Sequence, residues 1–73
     1  MTRAPVRKLA APDVATRLAR FAVEVRTRRA ALGMRLRQCA ALTGVSKGTI
    51  CRVEHGERMS AETYLRLAAW LEG

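Results

Sequence analysis

The stretch from Leu36 to Glu54 constrains the fold more than any other part of the chain. It holds two segments, 36–43 and 47–54, separated only by Gly44-Val45-Ser46, and each is long enough for about two turns of helix. Gly44 can take the positive φ that a sharp bend requires and that a side chain resists. Ser46 is a strong N-cap, because its hydroxyl can accept from the backbone N–H groups two and three residues on. Ala40, four residues before the glycine, is small enough to let the second helix cross close over the first. Leu36, Cys39, Ala40 and Thr43 share one side of the first helix, and Ile50 and Val53 form the inward face of the second. Lys47, Gly48, Cys51 and Arg52 fall on its other side.

The flanks supply two more helices. Pro12 and Asp13 suit a first turn, the proline because its missing N–H would be unpaired there and the aspartate because it faces the positive dipole end. Val14, Leu18, Phe21, Val25 and Leu32 then recur on one helical face, so a helix is expected from about 13 to 32. Arg26, Arg28 and Arg29 crowd its negative end, and Gly33 closes it as a left-handed cap. At the other flank Ser60 caps a fourth helix with Glu62 in its first turn and a buried stripe of Tyr64, Leu67, Ala68 and Leu71. No strand pattern, internal repeat or low-complexity run appears. The expectation is an all-α domain of four helices over 12–73, preceded by a flexible basic arm over 1–11 that carries Arg3, Arg7 and Lys8. The arm is either a solvated tail or a segment that enters a minor groove.

Size and charge narrow the function. A chain of 73 residues buries only about 60% of its unfolded surface, which leaves no deep substrate cavity and favours a binding module over a catalyst. Fourteen Lys and Arg against six Asp and Glu give a net charge of +8, and nucleic acid is the commonest polyanion for such a domain. No run approaches the length of a membrane span or of a secretory signal, so a cytoplasmic protein is expected, at the nucleoid if the polyanion is DNA, with Cys39 and Cys51 as thiols. Cys51 and His55 stand one helical turn apart with Cys39 as a conceivable third ligand, but a structural zinc site wants four. No metal or cofactor is expected. Nor does any nucleophile and base pair with an orienting group around the single histidine; His55 reads better as a phosphate contact or a helix cap than as an acid–base catalyst.

Two short helices hinged at a glycine, the second one capped, make a helix-turn-helix arrangement. The wider pattern is Arg29-x3-Gly33, then Ala40-x3-Gly44-Val45-Ser46-x3-Ile50-x-Arg52-Val53-Glu54-x-Gly56, then Ser60-x2-Thr63-x3-Leu67-Ala68-x2-Leu71. Over about residues 17–72 it resembles the DNA-binding domain shared by lambda-type phage repressors, Cro and the bacterial XRE-like regulators.

That resemblance implies a compact lambda-repressor-like domain in which helix 3 lies in the major groove of double-stranded DNA. Lys47, Gly48, Thr49 and Arg52 then occupy the base-contacting positions. Lys47 and Arg52 would favour guanine, whose O6 and N7 are paired acceptors. Arg35, Arg37, Ser46, His55 and Arg58 would meet phosphates, and Arg29 and Glu54 would form a structural ion pair between helices 1 and 3. The chain departs from the pattern at the start of helix 2, where relatives carry Thr or Ser followed by Gln and this sequence has Arg35-Leu36. The usual cap is absent there, leaving Arg35 and Arg37 to hold phosphate electrostatically.

On helix 4 the expected core stripe leaves Leu65, Ala69 and Trp70 pointing outward as a dimer or partner face, against the plainer reading that Trp70 folds back over the chain end. Relatives bind two-fold operators as dimers, so a weak or DNA-assisted homodimer acting as a repressor-type transcriptional regulator is expected. The competing reading is an antitoxin-like or co-regulator module that docks a partner protein through the Leu65 and Trp70 face, with DNA secondary.

Overall fold

A computed structural model describes residues 13–73 of the chain. It holds four helices: α1, Asp13–Ala31; α2, Leu36–Thr43; α3, Lys47–Glu54; and α4, Ala61–Glu72. The described residues contain no strand, so the all-α expectation stands. The arm over 1–11 and the Pro12 start of the first helix lie outside the described residues.

Local chemistry sets the helix ends. Asp13 stands in the first turn of α1 and Arg28 and Arg29 in its last, the order the macrodipole favours. Gly33, at φ 66°, closes α1, with Met34 N–H donating to the Arg29 carbonyl at 2.9 Å and Gly33 N–H to that of Ala30 at 3.0 Å. This is the paired 6→1 and 5→2 closure that a left-handed residue makes possible. Gly44, at φ 77°, ends α2 and donates to the Ala40 carbonyl at 2.9 Å. A Cβ there would stand 2.6 Å from Nη1 of Arg66, the mobile end of an exposed side chain that can shift, so it is the left-handed backbone that calls for glycine.

The core is Val25, Cys39, Val45, Ile50, Val53 and Leu67, drawn from all four helices and the α2–α3 turn, with Phe21, Leu36, Ala40, Met59, Trp70 and Leu71 packed around it. Burial pushes the Cys39 thiol above its ordinary pKa of 9.0, because the thiolate would have to be held away from water.

Two expectations about the core need correction. Val14 and Leu32 are 55% and 53% exposed, so only the middle of the α1 stripe is used. The 19 residues of α1 extend over about 28 Å, whereas its eight-residue partner α3 covers about 12 Å; the ends of α1 outrun what packs against them. Second, Trp70 does not point away from the domain. It is half-buried against the core, while Tyr64, expected inside, is 48% exposed. Trp70 and Tyr64 both lie about 60° from Leu67 around the helix, so periodicity does not separate them; it is the core that takes up Trp70. Tyr64 instead lies against Phe21, with ring centroids 4.9 Å apart and planes tilted by 42°. Leu65 and Ala69 remain exposed.

Candidate nucleic-acid interface

The turn that presents α3 is tied internally. The buried Thr43 hydroxyl donates to the Cys39 carbonyl at 2.9 Å and accepts from Val45 N–H at 3.2 Å, which binds the end of α2 to the start of the turn. Ser46 then caps α3, its Oγ accepting from Thr49 N–H at 3.2 Å and donating to Thr49 Oγ1 at 2.8 Å.

From beneath, α3 is held by packing and charge together. Ile50 and Val53 are buried in the core, and Glu54 is buried beside them. The Glu54 carboxylate accepts a two-pronged pair of hydrogen bonds from Arg29, Nε to Oε2 at 2.7 Å and Nη2 to Oε1 at 2.8 Å. That geometry matches the planar fork of a guanidinium to a carboxylate. The Glu54 hydrogen bond raises the Arg29 pKa above its ordinary value. Arg29 also donates to the Met34 carbonyl at 3.0 Å, and Arg26 to the Glu54 carbonyl at 3.1 Å. Arg28 donates to the Leu71 carbonyl at 3.3 Å, near the end of α4. The cluster at the end of α1 therefore serves the C-terminal ends of other helices, where cations are favoured. The Arg29–Glu54 pair is the one the family resemblance implied; for Arg26 and Arg28 the sequence position suggested only a role in α1.

The outer face of α3 is different. Lys47, Gly48 and Arg52 are exposed and Thr49 is half-buried. Arg52 donates from Nη2 to Thr49 Oγ1 at 3.2 Å, and neither Lys47 nor Arg52 forms a salt bridge among the described residues. The α3 first turn holds no acid. The surface therefore offers cationic donors and no carboxylate, which suits an acceptor-rich partner.

At the start of α2, Arg35 occupies the N-cap with extended backbone. Its guanidinium has no acceptor atom, so it cannot cap the helix N–H groups; only the return half of a capping box forms, with Arg35 N–H donating to Gln38 Oε1 at 2.8 Å. Arg35, Leu36, Arg37, Gln38 and Lys47 line one open depression together with Arg29. Fold closure thus brings three exposed cations, Arg35, Arg37 and Lys47, around an incompletely capped helix start, a setting that favours anions. His55 is exposed, and its Nδ1–H donates to the Cys51 carbonyl at 2.7 Å, which leaves Nε2 to face solvent; that nitrogen donates to a phosphate only when the ring is cationic. Arg58 is exposed in the loop beyond α3.

Sequence reading missed Arg66. Given no role above, it pairs with Glu62 through Nε at 3.0 Å and Nη2 at 2.9 Å and lies against Gly44, so it also covers the end of α2. The i,i+4 spacing of Glu62 and Arg66 is the signal that could have found the pair. Among the described residues no three His, Cys, Asp or Glu side chains come together to hold a metal ion, and no helix is long and apolar enough to cross a membrane.

Comparison with protein families matches the model of a helix-turn-helix domain over residues 20–72. Comparisons with curated proteins and with solved structures returned no match. The match spans all of α2, α3 and their turn, the α1 segment that braces α3, and α4. Such a domain is the mark of a DNA-binding regulator in general. The chain belongs to this helix-turn-helix domain family, in agreement with its likeness to the lambda-repressor and XRE-like regulators.

Proposed function

We propose that the protein is a repressor-type transcriptional regulator that reads an operator with α3 in the major groove. The observation that carries this reading is the division of α3: one side is fixed by Ile50, Val53 and the Arg29–Glu54 pair, and the other presents Lys47 and Arg52 free of any carboxylate partner. A rigid element with outward donors is what base-edge reading needs. Lys47 and Arg52 read guanine edges, and Gly48 and Thr49 shape the approach between them. Arg35, Arg37, Ser46, His55 and Arg58 hold phosphates on either side.

The protein acts as a homodimer, weak or assembled on DNA, in the cytoplasm at the nucleoid. Two-fold operators place half-sites about 34–36 Å apart, a spacing that two copies must match. Leu65, 63% exposed, and Ala69 are the α4 residues open to such a contact. The alternative, partner docking through Leu65 and Trp70, loses its anchor because Trp70 is packed against the core.

The test is selection of bound duplexes from a random pool, followed by affinity for the selected site at several salt concentrations. With about five phosphates neutralised, log affinity falls against log salt with a slope near −4.5. A slope near −1, or an unenriched pool, overturns the reading.

A further inference from the structure

The spacing Ser-x-x-Thr-x-x-Arg occurs twice, as Ser46, Thr49 and Arg52 in α3 and as Ser60, Thr63 and Arg66 in α4. In both helices the serine caps, and its hydroxyl donates to the threonine, at 2.8 Å in α3 and 3.1 Å in α4. The arginines then part. Arg66 turns to Glu62, whereas the position in α3 that corresponds to Glu62 is Gly48. With no carboxylate at that place, Arg52 donates one N–H to Thr49 Oγ1 at 3.2 Å. A Cβ at Gly48 would stand 3.7 Å from Arg52 Nη1, so the guanidinium runs alongside the bare glycine.

We propose that Gly48 and Thr49 are positioning residues that govern base discrimination through Arg52: Gly48 withholds the acid that captures the matching arginine in α4, and Thr49 tethers one edge of the guanidinium. The proposal rests on the DNA-reading function above and deepens it. A guanidinium tethered through one N–H keeps others free for the paired O6 and N7 acceptors of guanine. Holding it before DNA arrives reduces the rotamer freedom lost on binding. Thr49 Oγ1 already accepts from both Ser46 and Arg52, so both its lone pairs are engaged and its role toward Arg52 is that of an acceptor.

The experiment first finds the base pair whose preference is lost in Arg52→Ala, using the site selected by the full chain. Gly48→Glu, which restores the α4 arrangement, is expected to lower discrimination at that same base pair by about 10-fold. Gly48→Ala, whose methyl makes only an ordinary contact with Arg52 and brings no acid, is expected to lower it less than Gly48→Glu does. Thr49→Val lowers it at that base pair and Thr49→Ser restores it, because the serine keeps the accepting oxygen. Preference ratios are read rather than total affinity, since an added carboxylate also repels phosphates uniformly, and thermal unfolding confirms that each variant is folded. In the free protein, side-chain NMR is expected to show hindered rotation of the Arg52 guanidinium that Thr49→Val releases.

Two results overturn the proposal: Thr49→Val changing preference at a base pair other than that of Arg52, or Gly48→Glu leaving the ratio intact. Should Arg52→Ala itself leave the preference unchanged while the NMR tether is present, the DNA reading by Arg52 has failed, and the positioning role falls with it. A missing tether with Arg52-dependent preference intact removes the positioning role alone.

Discussion

Helices α3 and α4 begin with the same cap and put it to opposite ends. Each opens on a serine whose oxygen accepts from the N–H of a threonine three residues on. In α4 the first turn then carries Glu62, which complements the dipole and ties up Arg66. In α3 the first turn carries Lys47 and Gly48 and no acid. A cation at the positive end of a helix and a glycine within it both lower stability, by about 0.3–1 kcal/mol each. Equal capping with unequal charge is what the proposed function asks for, an external anion completing α3 while α4 is completed from within. The deficit in α3 is offset from behind by the Arg29–Glu54 pair and the buried Ile50 and Val53.

The largest test of that contrast removes the brace. Glu54→Ala leaves Arg29 partly buried without its carboxylate, and urea unfolding is expected to show a loss of about 3 kcal/mol, the low end for a buried pair because Arg29 keeps some solvent contact. The α4 counterpart, Glu62→Ala, breaks an exposed pair and is expected to cost less than about 1 kcal/mol. Equal losses would erase the distinction between a braced and a merely paired helix.

Removing the outward donors reverses the ranking. Arg52→Ala and Lys47→Ala are each expected to reduce discrimination at one base pair by about 1–3 kcal/mol in competition binding, with unfolding changed by no more than about 0.5 kcal/mol. Arg66→Ala, with the same spacing from its cap, leaves base preference unaltered. A comparable loss there would mean that α4, and not α3, meets the bases.

The caps themselves should separate stability from binding. Ser46→Ala and Ser60→Ala are expected to destabilise alike, by about 1 kcal/mol, but only Ser46→Ala also weakens DNA retention. Smaller still, Lys47→Glu exchanges an unfavourable dipole interaction for a favourable one and is expected to raise the unfolding free energy by up to about 1 kcal/mol while abolishing retention on the selected operator. A destabilised Lys47→Glu would show that the lysine makes contacts that hold the fold.

Alkaline pH provides a perturbation that should not distinguish the two helices, because Cys39 sits in the core they share. Its pKa is raised by folding, so its contribution to stability is complete below the unfolded value near 9.0 and declines as pH rises from there through the folded value. Denaturation curves starting about one pH unit below that value and running upward are expected to show a fall that Cys39→Ala flattens. An unchanged fall in the variant would assign it to other groups.

Much of the site is legible along the chain. The hinge at Gly44, the cap at Ser46 and the inward phase of Ile50 and Val53 are all written within a short span, and the contrast of Gly48 with Glu62 is visible once the two capped segments are aligned. The fate of the other arginines is not. Arg26, Arg28 and Arg29 look alike at the end of α1; the family pattern pointed Arg29 to the Glu54 carboxylate, but nothing along the chain showed that Arg26 holds a backbone carbonyl 28 residues on and Arg28 one 43 residues on. Periodicity gave the general face of α4 but not its centre, which put Tyr64 on the wrong side of the boundary and left Trp70 out of the core.

By itself, then, the amino-acid order determined where helices start, stop and bend, because φ preference, cap chemistry and dipole sign act over a few neighbouring residues. Only the tertiary structure decided which cations are engaged and which face outward, how much of α1 finds a partner, and that Trp70 closes the core. Those outcomes depend on acceptors and apolar surfaces supplied by distant segments, and the guanidinium of Arg26 or Arg28 carries no local sign of the carbonyl it will meet.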